Sequence, residues 1–92
     1  MLKVKLTEPQ IGAIQCRDWS EEPVMAKWWP GSSTLLFEES ERAALAAEVN
    51  DASNAEDEHA QELRREGALD CARLAARSAR VLANLYGKIL RA

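Results

Sequence analysis

Residues 55–90, AEDEHAQELRREGALDCARLAARSARVLANLYGKIL, contain no proline and predict one long helix, with Gly67 as its weak point. When the second half of this stretch is plotted at about 100° per residue, apolar and small side chains share one face. That face contains Cys71, Leu74, Ser78, Leu82, Leu85, Tyr86 and Ile89. The opposite arc contains Arg73, Arg77, Arg80, Lys88 and Arg91. The C-terminal helix is therefore predicted to be amphipathic, and a break at Gly67 stays open.

A shorter acidic helix is predicted before it, with Ser40 as its cap and its end near Asn50. Residues 50–54 then contain four turn-forming side chains and predict a turn, which would fold the two helices into a hairpin. The packing face of the C-terminal helix is graded, with small residues near Gly67 and large ones near Ile89. Close approach of the helices is therefore expected first and bulky packing later.

The first residues of the chain alternate in polarity, because Leu2, Val4 and Leu6 are apolar and lysines stand between them. This period of two predicts a short strand. Residues 34–37, TLLF, are its predicted mate, either within the chain or in another protomer.

An N-terminal helix is predicted over residues 8–19, and its start carries a clear local signal. Thr7 can cap it while Gln10, three positions on, reaches back to complete a capping box. Leu6 and Ile11 stand at the positions of a hydrophobic staple. The predicted fold is mainly α: a helical hairpin with a long C-terminal amphipathic helix, an N-terminal helix packed on it and room for a short two-stranded β element.

Two adjacent tryptophans, Trp28 and Trp29, lie in a short predicted helix that Pro30 and Gly31 must end. Neighbouring side chains cannot both point into one core, so one of the two is expected to be exposed or at an interface. Tryptophan is enriched in binding hot spots because it buries a large area with few rotatable bonds. An exposed tryptophan here suggests a docking site; the alternative is that both anchor a small core.

The chain has 92 residues and a hydrophobic fraction of 47%, but 16 of these residues are alanine, so the core of one chain is thin. One domain is expected, with an N-terminal segment 1–37, an acidic segment 38–54 and the long helix 55–92. The formal charge changes from zero over 1–37 to −7 over 38–66 and +4 over 67–92. We expect the acidic and basic segments to lie against each other, within the fold or across a dimer. The thin core favours a homodimer over a monomer.

Several classes of function receive no support from the sequence. No apolar run approaches the roughly 18 residues of a membrane span and no secretory signal is visible, so a cytoplasmic protein is expected. Cys16 and Cys71 are too few for a disulfide framework and are interpreted as reduced and half-buried. Glu56, His59 and Glu62 have the spacing of di-metal ligands, but a single histidine in so polar a turn favours a solvated acidic face. With no nucleophile beside a base and no phosphate loop, neither enzymatic activity nor a metal or cofactor is predicted.

The chain resembles small accessory proteins of temperate bacteriophages and other mobile elements. The likeness lies in LTEPQ at 6–10, the alanine-rich ERAAL at 41–45, NDASN at 50–54 and the final helix rich in arginine and alanine. Proteins of this type often bind a host protein stoichiometrically, and anti-CRISPR and other host-takeover inhibitors are among them. The resemblance implies a bacterial host protein as the partner and the host cytoplasm as the location.

The predicted function is non-enzymatic inhibition of a bacterial host protein by occlusion of a functional surface. The predicted protein-binding residues combine a tryptophan anchor with carboxylates that imitate nucleic acid in a cationic groove: Trp28, Trp29, Glu38, Glu39, Glu41, Glu48 and Asp51. The alternative is a small nucleic-acid-binding regulator that uses the basic arc of the C-terminal helix, Arg73, Arg77, Arg80, Lys88 and Arg91. Salt separates the two hypotheses, because phosphate binding weakens steeply as salt rises.

Overall fold

The computed structural model describes residues 1–92 as two short strands and three helices. In chain order these are β1 (Leu2–Lys5), α1 (Glu8–Gln15), β2 (Thr34–Phe37), α2 (Arg42–Arg65) and α3 (Leu69–Arg91). Single 3₁₀ turns lie at Met25–Lys27 and Glu39–Glu41. The predicted mainly α architecture is confirmed, with α2 and α3 forming the hairpin and α1 packing on α3.

The hairpin turns at Gly67, and the predicted turn over 50–54 is wrong. Residues 50–54 lie inside α2, because Ala52 and Ser53 are buried against α3 and the Ser53 hydroxyl donates to the Ala79 carbonyl at 2.8 Å. Packing between the helices therefore outweighs the local turn preference of these residues. Gly67 has a φ of 81° and closes α2 as a left-handed C-terminal residue.

The packing between α2 and α3 changes along the hairpin as the side-chain sizes predict. Near the turn, α3 buries only alanines against α2, and farther along it buries large aliphatic side chains. The alanines are Ala72, Ala75 and Ala79, and the large residues are Leu82, Leu85 and Ile89. The turn end of the hairpin is therefore thin, and most of the apolar core lies at the other end.

Two positions of the predicted apolar face are exposed. The side chain of Leu74 is 65% exposed, and Cys71 is also exposed. Their exposure follows from the narrow face that a single facing helix covers. The buried positions of α3 recur at steps of three or four residues, and Leu74 does not fall on one of them. Cys16 is exposed as well, so the prediction of half-buried cysteines is wrong.

The N-terminal segment forms a second layer over the large end of the hairpin. β1 and β2 pair antiparallel within the chain, with Val4 opposite Leu35, which settles the question of strand pairing. The Thr7 capping box with Gln10 is present and starts α1 as predicted. α1 ends at Gln15 instead of 19, because Trp19 turns back into the core and its Nε1–H donates to the Ile14 carbonyl at 2.8 Å.

The apolar core lies between this layer and the large end of the hairpin. Its largest fully buried side chains come from every layer: Phe37, Ile14, Met25, Leu45, Leu82, Leu85, Ile89 and Val49. No helix combines the length and the apolar character that crossing a lipid bilayer requires.

Candidate protein-binding site

The segment that carries the tryptophans is held in place by a buried carboxylate of α2. Glu48 is only 7% exposed, and its two oxygens accept the backbone N–H groups of Val24 at 3.2 Å and Met25 at 2.8 Å. These N–H groups begin the 3₁₀ turn and have no partner within it. Hydrogen bonds to an ionised acceptor are stronger than neutral ones, so this contact fixes the segment on α2.

A salt bridge braces the same turn from the solvent side. The Lys27 ammonium lies 2.7 Å from Oε2 of Glu41, whose Oε1 also accepts the Glu38 backbone N–H at 2.9 Å. The hydrogen bond from Lys27 and the one from the Glu38 backbone lower the pKa of the Glu41 carboxyl. The same carboxylate raises the pKa of the Lys27 ammonium. Glu41 thus connects the 3₁₀ turn at Met25–Lys27 to the start of α2.

The two tryptophans divide between core and solvent, as their adjacency predicts. Trp28 is half-buried and packs against the core, while the side chain of Trp29 is 80% exposed. Trp29 begins a tight turn in which the Ser32 N–H donates to its carbonyl at 3.0 Å. Pro30 and Gly31, with φ of 82°, occupy the positions that a type II turn gives to proline and glycine. The exposed indole is therefore displayed on a backbone of fixed conformation.

A cleft of about 320 Å³ lies beside this turn. Its lining includes Pro30, Trp28, Trp19 and Arg17, and the Arg17 guanidinium lies 5.5 Å from the Trp19 ring centre. This cleft was not predictable from the sequence, because it forms only when the chain after α1 folds back on the tryptophan segment. It extends the apolar surface next to Trp29.

The five carboxylates predicted to bind a partner do not form one surface. Glu48 lies inside the fold and has a structural role, which corrects its assignment to the binding surface. Glu38 and Glu39 are exposed at the start of α2, and Glu39 pairs with Arg42 at 2.7 Å. Asp51 is exposed farther along α2. Of these five carboxylates, Glu38 and Glu39 are the exposed ones that lie beside Glu41, which binds Lys27 of the tryptophan segment, residues 24–29.

Arg42 has a further role at the far end of α3. Its guanidinium donates to the carbonyl oxygens of Ile89 at 2.7 Å and Ala92 at 2.7 Å, while also binding Glu39. The last carbonyl groups of a helix lack the donor four residues on, and the Ile89 carbonyl also accepts the Ala92 N–H at 3.4 Å. The hydrogen bond from Arg42 to the Glu39 carboxylate, together with the opposite charge of that group, raises the pKa of the Arg42 guanidinium.

The basic residues of α3 lie mostly in solvent. Arg73, Arg77, Arg80 and Arg91 are exposed on the side of α3 that faces away from α2. Lys88 is engaged instead, because its ammonium donates to the Lys5 carbonyl at 3.1 Å and to Oε1 of Gln10 at 3.0 Å.

The acidic and basic helices do not neutralise each other by ion pairs. None of the four salt bridges in the structure joins α2 to α3. Two pairs with longer distances involve charges farther along these helices: Arg17, after α1, lies 3.9 Å from Glu56 of α2, and Arg73 lies 3.8 Å from Asp70 within α3. The two helices therefore carry opposite charges on separate outer faces, and each face is open to a partner.

The spacing of Glu56, His59 and Glu62 does not produce a metal-ligand cluster. No group of three or more histidine, cysteine, aspartate or glutamate side chains is placed to hold a metal ion. Comparisons of the chain with protein-family models, with curated proteins and with solved structures found no match.

Proposed function

We propose that this protein acts without catalysis, by binding a bacterial host protein stoichiometrically and covering one of its functional surfaces. The observation that carries the proposal is the exposure of Trp29. This large aromatic residue is 80% exposed, although it lies on a segment that is held in place by hydrogen bonds and a salt bridge. The likeness to phage accessory proteins supplies the class of partner, a host protein of the bacterial cytoplasm.

The support from physical chemistry comes from preorganisation. A segment whose backbone is ordered before binding loses less conformational entropy when the complex forms. The segment that carries Trp29 is fixed by the Glu48 carboxylate, by the Lys27 and Glu41 salt bridge and by the turn at Gly31. Trp29 therefore has the properties of a hot-spot anchor that inserts into a pocket on the partner.

The negative charge at the start of α2 indicates that the partner surface is positively charged. Glu38 and Glu39 are exposed at the start of α2, next to the Glu41 carboxylate that binds Lys27. A pocket for Trp29 with a cationic rim would complement these carboxylates. Such rims surround nucleic-acid grooves, so occlusion of a nucleic-acid-handling protein is the specific form of the proposal.

The test is affinity capture from a bacterial lysate with matched variants. Wild type should retain one protein stoichiometrically at high salt and after nuclease treatment, and Trp29→Ala should lose it. Leu36→Ala is the control, because it also removes an exposed apolar side chain, but from β2. Equal recovery by wild type and Trp29→Ala would overturn the proposal, even with a partner identified.

A second candidate function rests on the outer face of α3. Arg77 and Arg80 form no salt bridge, and with Arg73 they make a cationic stripe on that face. A stripe of this kind suits contact with a phosphate backbone. Reversing these three charges should abolish a salt-sensitive gel shift if the chain is a nucleic-acid-binding regulator, and a shift that survives reversal would reject this candidate.

A further inference from the structure

The outer edge of β1 is an unpaired strand edge. In an antiparallel pair, opposed residues alternate between those that exchange hydrogen bonds and those that do not. The Leu6 N–H donates to the Ser33 carbonyl at 2.8 Å, and Val4 stands opposite Leu35 in the same register. The alternation therefore points the N–H and C=O groups of the intervening residues, Lys3 and Lys5, away from β2.

Only one of these outward groups is occupied. The Lys5 carbonyl accepts the Lys88 ammonium at 3.1 Å. The Lys3 N–H, the Lys3 carbonyl and the Lys5 N–H remain available on an exposed edge. The opposite edge of the sheet is partly closed, since the Ser32 hydroxyl binds both the N–H and the carbonyl of Thr34.

Cations surround the open edge. A cleft of about 320 Å³ lies along it, and its lining comprises four basic residues, Lys3, Lys5, Lys88 and Arg91, together with Val4 and Ala92. A second cleft of about 520 Å³ shares Lys88 and Arg91 with polar residues from the start of α1. No aspartate or glutamate side chain lines either cleft. The backbone groups that can receive a strand thus lie within a strongly positive surface.

We propose that the β1 edge binds an extended acidic segment of a partner protein as an added strand. Main-chain hydrogen bonds to Lys3 and Lys5 would supply the pairing, as in other cases of strand addition. Alternate side chains of a strand share one face, so acidic residues at every second position would meet the lysines of β1. This site uses residues separate from Trp29 and its braced segment.

The chemistry of the β1 edge favours a peptide over DNA and over a second copy of β1. The free Lys3 carbonyl needs a hydrogen-bond donor, and the phosphodiester backbone of DNA offers only acceptors, whereas a peptide offers both. A second copy of β1 is disfavoured because its lysines would stand against Lys3 and Lys5, and like charges across a strand pair are destabilising.

The probe for this site is an acetylated and amidated peptide of eight residues with alternating glutamate and threonine, titrated into the full chain labelled with ¹⁵N. We expect saturable binding with shifts of the Lys3 and Lys5 amide signals. Lys3→Glu with Lys5→Glu should weaken binding by about tenfold or more. The same two charge reversals at Arg73 and Arg80, on the outer face of α3, are the matched control and should leave affinity unchanged.

A second pair of variants separates strand pairing from charge. Lys3→Pro removes the outward N–H and one charge, whereas Lys3→Gln removes the charge alone, so Lys3→Pro should bind more weakly. The peptide methylated on alternate backbone nitrogens should not bind. Circular dichroism and thermal unfolding check that each variant is folded.

Three results would overturn the proposal. The first is the absence of saturable binding by the wild-type chain, and the second is equal affinity for the methylated and unmethylated peptides. The third is displacement of the peptide by an oligothymidylate of eight nucleotides that binds as tightly as the peptide does. That result would identify the cleft as a phosphate-binding site.

Discussion

The Glu48 carboxylate accepts the backbone N–H of Met25 at 2.8 Å, across 23 positions of the sequence. Glu48→Ala would leave this N–H and that of Val24 buried without an acceptor. We expect the free energy of unfolding to fall by about 2–3 kcal/mol, measured by urea denaturation. Glu58→Ala, which removes an exposed glutamate of the same helix, is the control and should change it by less than about 0.5 kcal/mol. Equal losses in the two variants would show that Glu48 does not hold the segment.

The salt bridge between Lys27 and Glu41 should be visible in the titration of the carboxyl group. Because the pKa of Glu41 is lowered from its ordinary value of 4.5, the stabilisation is fully present above that value and is lost as pH falls through the lowered pKa. The pKa of Lys27 is raised from its ordinary value of 10.5. The stabilisation that Lys27 gives the folded state is therefore fully present below pH 10.5 and is lost as the pH rises through the raised pKa. Lys27→Met should move the Glu41 midpoint up toward 4.5 in a carboxyl NMR titration. Lys5→Met, a lysine on β1, should leave it in place.

Replacement of Gly67 and of Gly12 by alanine should change the free energy of unfolding in opposite directions. Gly67 has a φ of 81° and open space around it, so Gly67→Ala meets no clash but is strained in its backbone, at a cost of about 1–2 kcal/mol. Gly12 lies within α1 with no atom near its side-chain position, so Gly12→Ala should stabilise by about 0.5–1 kcal/mol. Thermal unfolding measures both. If Gly67→Ala left the stability unchanged, the hairpin turn would have to accept another backbone conformation.

The homodimer predicted from the thin core can be tested at the exposed leucines of the hairpin. Leu69 and Leu74 are exposed at the turn end of the hairpin, where only two helices pack. We predict a mass of twice 10.2 kDa by light scattering after gel filtration, and monomer for Leu69→Glu with Leu74→Glu. Leu90→Glu, at the other end of α3, should remain dimeric. A wild-type chain that is monomeric at every concentration would exclude the dimer.

The features that were predictable from sequence are those set by near neighbours. The capping box of Thr7 and Gln10 needs only a separation of three, and the strand of Leu2 and Val4 shows in its own alternation. The graded packing of α3 is likewise set by the sizes of its own side chains. These elements formed as expected because no distant contact competes with them.

The features that sequence reasoning missed depend on contacts between distant segments. Residues 50–54 prefer turns locally, yet the bond from Ser53 to the Ala79 carbonyl requires a partner 26 positions away. Glu48 is indistinguishable in sequence from the solvated acids around it until α2 meets the Met25 turn. Lys3 and Lys5 join Lys88 and Arg91 only because β1 lies beside the end of α3.

The uneven thickness of the hairpin also has a dynamic consequence. Near Gly67 the seam is made of alanines outside the main core cluster, whereas the sheet end carries Phe37, Leu85 and Ile89. Local opening should therefore begin at the turn, and amides there should exchange with deuterium well before those of the sheet end. Because the Trp29 segment is anchored at Glu48, away from this region, the tip of the hairpin can fray and close again while the anchor surface keeps its shape.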